Sequence, residues 1–166
     1  MELVPFTERH LGDIGELIAD PDVLQFTRIP EPPPDGFPRE WLARYERGRE
    51  DGTAEAFVIE EHGRFLGLAL APHIDRAGGE VELGYVVAAA ARGRGVATDA
   101  LRRLTAWAFE DVGARRIFLI VDVLNEPSKR VAERAGYVRE GVMRSIHHKH
   151  DRRVDAELWS KLPTDP

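Results

Sequence analysis

The sequence predicts an α/β fold: a mixed sheet of about seven strands flanked by about four helices. Three observations predict it. Strand-like runs and helical patterns follow one another along the whole chain. Ile117 to Val123 is a nearly continuous apolar run, the mark of a strand buried on both faces. A glycine-bearing turn at Arg92-Gly93-Arg94-Gly95 joins the strand-like Leu83–Val87 to a helical pattern that reaches Val112. The length of 166 residues suits one domain, residues 1–166, built on a single core.

The elements follow in order. Leu3, Val4 and Phe6 predict a short first strand. Thr7, then Leu11, Ile14, Leu17 and Ile18, predict an amphipathic helix. Pro30 to Pro38 holds five prolines and is expected as a loop, because proline fixes φ and lacks an N–H. Trp41, Leu42 and Tyr45 recur at helical spacing. Ala54–Glu61 and Arg64–Leu70 are strand-like and joined by His62-Gly63, a hairpin signal. Glu80–Val87 follows as a third strand of this group. Val96, Ala100, Leu101, Leu104, Ala108 and Val112 share one helical face, and Gly113 is placed as the C-cap. After the 117–123 strand, Asn125-Glu126-Pro127-Ser128 starts a short helix that Gly136 ends. Tyr137–Met143 and Ala156–Leu162 are expected as two closing strands.

Composition excludes several classes. The net charge of -6 disfavours general attraction to nucleic acid. Without cysteine there are no disulfides, thiolate metal sites or cysteine nucleophile. Met1-Glu2-Leu3-Val4-Pro5 lacks the basic and apolar regions of a signal peptide, and no apolar run approaches the ~20 residues of a membrane helix. A cytoplasmic protein with no membrane partner is expected.

The turn at Arg92 to Thr98 carries the most chemistry. Backbone N–H groups at a helix N-terminus, together with the helix dipole, form a phosphate site. Arg92 and Arg94 add charge-assisted donors. A dinucleotide loop wants G-x-G-x-x-G, but Thr98 holds the third glycine position; no G-x-x-x-x-G-K-[ST] string occurs. The pattern that does match is R-x-x-G-x-A at Arg92, Gly95 and Ala97. After a strand ending in paired apolar residues, it resembles the acetyl-CoA pyrophosphate loop of the GNAT N-acetyltransferase superfamily.

Further strings extend this resemblance over essentially the whole chain. Glu82-Leu83-Gly84-Tyr85 resembles the E-[IL]-G-Y segment of ribosomal-protein N-terminal (alanine/serine) acetyltransferases. Asn125-x-x-Ser128 resembles their N-x-x-S, and Ala135-Gly136-Tyr137 their K-x-G-F/Y, departing at Ala135. Asp155 after Arg152-Arg153 resembles the aspartate before their last strand. The resemblance implies the GNAT fold, with a mostly antiparallel central sheet, and acetyl-CoA as acyl donor without a metal. It implies that backbone amides of Arg94, Gly95, Val96, Ala97 and Thr98 hold the pyrophosphate, the Thr98 hydroxyl adding a donor. Val86 and Val87 are expected to pair through their backbone with the pantetheine arm, while their side chains pack in the core.

Amine acetylation also needs a base and a proton source for the departing thiolate. Glu82 is the candidate base, directly or through a water; Glu80 shares its strand face. The alternative is that both are solvated. Asn125 and Ser128, with Pro127, fit a plain helix cap. The resemblance adds a place for Asn125 near the pantetheine and for Ser128 near the sulfur as acid. Tyr137 is expected in the core. His147, His148 and His150 are expected in a solvated loop with no metal; the resemblance implies that this connection flanks the acceptor groove. Arg102, Arg103, Arg115 and Arg116 are expected as solvated helix and loop charges. The proline-rich loop, with Phe26, Phe37 and Trp41, is expected to wall the acceptor pocket.

The expected reaction is direct attack of a primary amine in a ternary complex. The acceptor is a protein N-terminal amine or a small amine such as a polyamine or aminoglycoside. Two rivals stay open at this stage: a non-catalytic CoA-binding regulator, and a nucleotide-binding α/β protein. A homodimer is compatible with the sequence.

Overall fold

The computed structural model describes residues 1–149 and 152–166. One seven-stranded sheet runs in the order β1-β2-β3-β4-β5-β7-β6. Its strands are β1 Glu2–Pro5, β2 Glu55–Glu61, β3 Arg64–Asp75, β4 Glu80–Val87, β5 Arg116–Asp122, β6 Val138–Lys149 and β7 Arg152–Lys161. The helices are α1 Leu11–Leu17, α2 Pro21–Phe26, α3 Phe37–Asp51, α4 Val96–Glu110 and α5 Glu126–Arg134. Every described pairing is antiparallel except β4 with β5.

The sheet separates two cores. On one face Val58, Leu68, Leu70 and Val86 pack against Phe6, Ile14, Trp41 and Tyr45 of the α1–α3 side. On the other, Ile59, Val81, Leu83, Ile117 and Leu119 pack against Ala100, Leu101 and Leu104 of α4 and Ala132 of α5. The alternation of strand side chains sends neighbours such as Val58 and Ile59 to opposite cores. Leu101 and Leu104 are fully buried, each worth roughly 2 kcal/mol in apolar area removed from water.

Two irregularities shape the middle of the sheet. Opposite Ile59 and Glu60, β3 carries an extra residue, and Gly67 there has φ 153°. A Cβ on Gly67 would lie 2.1 Å from the Val86 carbonyl oxygen, so only glycine lets β4 approach at this point. A second register shift between Leu70 and His73 brings His73 opposite Glu82.

The structure corrects several expectations. Among the described residues there are five α-helices: the four read in the sequence, in line with the expected number, and one more. The additional α2 is capped by Asp20, whose carboxylate accepts from the Asp22 N–H at 2.9 Å, with Pro21 in its first turn. β5 is buried on one face only: Ile117, Leu119 and Val121 are buried, while Phe118, Ile120 and Asp122 are half-buried. The reason is that α1–α3 cover the β1–β4 side of the sheet and leave the β5–β7–β6 end open. β6 and β7 run on to Lys149 and from Arg152, so His147 and His148 lie in a strand rather than a loop; His150 lies outside the described residues. Arg116 is also no loop charge. It opens β5 and clamps Glu80 at 3.0 Å and Glu140 at 2.7 and 2.9 Å. Among the described residues no helix is long and apolar enough to cross a membrane.

Candidate active site

The site forms where β4 and β5 part. They pair only from Glu80 to Glu82 and from Arg116 to Phe118. Beyond this point Gly84–Val87 keep β3 on one edge, at Leu70 to Gly67, and have no strand on the other among the described residues. That edge offers main-chain donors and acceptors that an extended ligand can pair with. Val86 is 8% exposed and packs in the α1–α3 core, while the half-buried Val87 leans on the opposite core.

β4 leads through a 3-10 turn at Ala89–Ala91 into the turn before α4. Gly93 and Gly95 adopt φ 73° and 81°, and a Cβ on either would meet nothing within 4 Å. Gly95 occupies the N-cap without a side-chain cap bond, and Asp99 N–H is the first to return to its carbonyl, at 3.1 Å. The N–H groups of Val96, Ala97 and Thr98 therefore have no helical acceptor, and the space before them is open. A phosphate fits this cradle. The two arginines differ. Arg92 donates to Val87 O at 3.2 Å and binds Asp22 at 3.0 Å and Asp20 at 2.5 Å. Arg94, half-exposed, has only a 3.3 Å contact with Glu61.

Even-numbered β4 residues face α1–α3 and odd-numbered ones face α4, which sorts the chemistry. Glu82 lies on the first face and is 9% exposed, so it is not a solvated carboxylate. Its side-chain partner is Arg28, from the bend after α2. Tyr45 of α3 lies near enough to feel both charges, and burial pushes its phenol up to about 12. His147 joins from β6; burial first, then Arg28, holds its imidazole below the usual value, while Glu82 and Asp122 oppose this. Glu80 shares the Glu82 face but is held by Arg116. Phe118 pairs with Glu82 across the β4–β5 register, and it, Ile120 of β5 and the Ile120 partner Leu158 of β7 are half-buried.

Tyr85 lies on the other face. Its hydroxyl is 2.7 Å from Ser128 Oγ and donates to Ser128 O at 3.3 Å. Burial pushes this phenol up to about 12, so it stays protonated across the working pH range. Ser128 is held in the first turn of α5 by its own N–H, which donates to Asn125 Oδ1 at 3.1 Å. The Asn125 side-chain oxygen thus acts as a helix cap. Tyr137 is buried and bonded to Thr105 Oγ1 at 2.7 Å, in the core as expected.

The structure places Glu82, Val86 and Val87 on β4, runs that strand into the Arg92–Thr98 turn, and sets Ser128, whose N–H is capped by Asn125, against Tyr85 on the face of β4 opposite Glu82. The sequence reading gave no role to Tyr85, Arg28 or Asp122. Tyr85 had a signal, since it stands one residue after Gly84 in the quoted E-x-G-Y string. Arg28 had none, being 54 residues from Glu82 in a segment without a motif. Phe37 and Trp41 pack on each other at 5.5 Å, and Trp41 belongs to the core more than to a pocket wall. Among the described residues no group of histidines and carboxylates is spaced to hold a metal. Two shallow hollows, one at Arg102, Phe109 and Lys161 and one at Glu2, Phe57 and Trp107, include none of these residues.

Comparison with known proteins agrees with this fold. Residues 1–138 match the acetyltransferase (GNAT) domain family. A putative ribosomal N-acetyltransferase of Bacillus subtilis, YdaF, is 34% identical over 164 residues, covering 97% of this chain and 82% of the relative. The fold matches RimL, a ribosomal L7/L12 α-N-protein acetyltransferase solved with coenzyme A, with TM-score 0.89 and 18% identity over 96% of this chain and 92% of that one. It also matches a Vibrio cholerae spermidine N-acetyltransferase solved with CoA and spermine, with TM-score 0.85 and 20% identity over 99% and 96% of the two chains. The chain belongs to the GNAT acetyltransferase family. It is an N-acetyltransferase of that family.

Proposed function

We propose that this chain acetylates the N-terminal amine of a protein, by direct attack on acetyl-CoA in a ternary complex. The observation that carries the site assignment is the buried carboxylate of Glu82, at the point where β4 loses its β5 partner. The ribosomal type of acceptor is supported by the 34% identity to a putative ribosomal N-acetyltransferase across nearly the whole chain.

Acetyl-CoA supplies the acyl group as a thioester. The N–H groups of the Arg94–Thr98 turn hold its pyrophosphate, and Arg94 adds positive charge. Arg92 fixes the turn by tying Val87 O to Asp20 and Asp22. The open edge at Val86 and Val87 pairs with the pantetheine arm and polarises the acyl carbonyl. Glu82 takes the proton of the incoming ammonium, directly or through one water, so that the neutral nitrogen attacks the acyl carbon. As the C–S bond breaks, Ser128 gives its hydroxyl proton to the sulfur and is reprotonated, through solvent, by the proton that the acylated nitrogen sheds; Tyr85 orients the Ser128 hydroxyl. No residue forms a covalent acyl intermediate.

The acceptor is tested by competition. Alanine- and serine-initiated peptides, spermidine and an aminoglycoside are offered with acetyl-CoA, and thiol release and acetylated product are followed. Higher kcat/KM for the peptides, with the acetyl group on the α-amine, supports this reading. A preference for spermidine or the aminoglycoside replaces it with the small-amine reading, and CoA binding without turnover replaces it with the regulator.

A further inference from the structure

The Arg28–Glu82 contact joins groups of very different freedom. The Glu82 side chain is 11% exposed and fixed on a central strand, whereas the Arg28 side chain is 56% exposed. The segment that carries Arg28 is itself held in place. Asp20 and Asp22 before it bind Arg92 of the phosphate turn at 2.5 and 3.0 Å. Lys149 of β6 donates to Leu24 O, and Ile29 immediately after Arg28 is buried. Arg28 is therefore delivered to Glu82 by a pinned strap, while its long side chain keeps room to leave.

Among the described residues the other groups around Glu82 do not replace this cation. Tyr45 from α3 is neutral, and His147 from β6 is biased to its neutral form. His73, opposite Glu82 on β3, is exposed, and β5 contributes Asp122 with the same sign of charge as Glu82. An acceptor ammonium needs the same carboxylate that Arg28 occupies. A carboxylate held by a guanidinium is also a weaker base than a free one.

We propose that Arg28 is a specificity-determining residue: a placeholder cation on Glu82 that the acceptor's ammonium must displace. The displaced side chain turns toward solvent while its backbone stays pinned. Glu82 then becomes a stronger base only when a competing cation has arrived. Acceptors without a positive charge leave Arg28 in place and are poor substrates. This inference rests on the reading of Glu82 as base.

Its test separates the two. Full-length protein labelled with 13C at glutamate Cδ is titrated by NMR, with E82Q used to assign the Glu82 signal. In R28Q the Glu82 signal titrates at higher pH than in the wild type, the direction expected when an adjacent opposite charge is removed. The acid limb of kcat/KM for an alanine-initiated peptide moves up with it. Above that limb the peptide KM falls about threefold to tenfold, because no cation competes. R28K, which restores a cation, returns both titrations toward the wild-type position. A Glu82 titration unmoved in R28Q overturns the proposal, and so does a raised KM, which would make Arg28 a binding group for the acceptor. An E82Q enzyme with the wild-type pH profile removes Glu82 as base but leaves the NMR shift to judge the Arg28 contact by itself.

Discussion

Gly95→Ala compared with Gly113→Ala isolates the phosphate turn from the helix it opens. Both glycines flank α4, one before it and one after it, with φ 81° and 76°. A Cβ on either would meet no atom within 4 Å. The two substitutions therefore share one cost: a left-handed backbone with a side chain, about 1–2 kcal/mol. For a chain of this size that is a fall in Tm of about 2–8 °C, and it should be the same in both variants. Their effects on CoA should differ. Gly95 is the N-cap directly before the Val96 and Ala97 N–H groups, which have no helical acceptor, whereas Gly113 is at the far end of the helix. Losing one charge-assisted hydrogen bond of about 1.5–3 kcal/mol corresponds to a tenfold or greater rise in Kd. Thermal unfolding and calorimetric titration with CoA measure the two quantities independently. Equal CoA affinity in the two variants would refute the placement of the pyrophosphate.

Three further outcomes follow from the same geometry. Tyr85→Phe removes the partner of Ser128 Oγ and should lower kcat about fivefold to tenfold, the worth of one hydrogen bond, while stopped-flow binding of CoA stays within twofold. Because the Tyr85 phenol sits at about 12, the variant should not move any basic limb of the rate profile below pH 10. Gly67→Ala drives a Cβ toward Val86 O and should break the β3–β4 approach, giving insoluble or thermally labile protein that does not retain CoA; a soluble variant with wild-type Tm contradicts this. Glu140 is held at about 2, below its ordinary 4.5, first by Arg116 and then by Ser160. Its contribution to stability is complete above pH 4.5 and lost as pH falls toward 2, so the Tm gap between wild type and Glu140→Gln should close over that window.

How much of this was legible in the sequence depended on the range of the signal. α4 opens on local chemistry at Gly95, and its stripe from Val96 to Ala108 has the helical period; it ends at Glu110 with Asp111 as C-cap, short of the Val112 and Gly113 the sequence suggested. The strand–turn–helix around the phosphate cradle could be read for the same reason. α2 is six residues long, too short for a periodic signal, although Asp20-Pro21 is a start signal in itself. The ends of β6 and β7 escaped because their exposed side chains are His, Lys and Arg rather than alternating apolar residues. The half-open face of β5 depends on which helices cover it, which no feature of the Ile117–Val123 run reports. Glu82 was found through a motif, but its burial and its pairing with Arg28 arise from a contact spanning 54 residues. Tyr85 and Ser128 meet across 43 residues by strand alternation and helix placement together.

The central claim is that the carboxylate at the β4–β5 opening activates an amine against acetyl-CoA. The most direct measurement is the pH dependence of kcat/KM for the best amine acceptor in wild type and Glu82→Gln, with the same protein samples checked for CoA affinity. The account predicts that Glu82→Gln binds CoA as the wild type does, loses about 100-fold or more in kcat/KM, and loses the acid limb of the profile. A Glu82→Gln enzyme that keeps both the rate and the acid limb would contradict it.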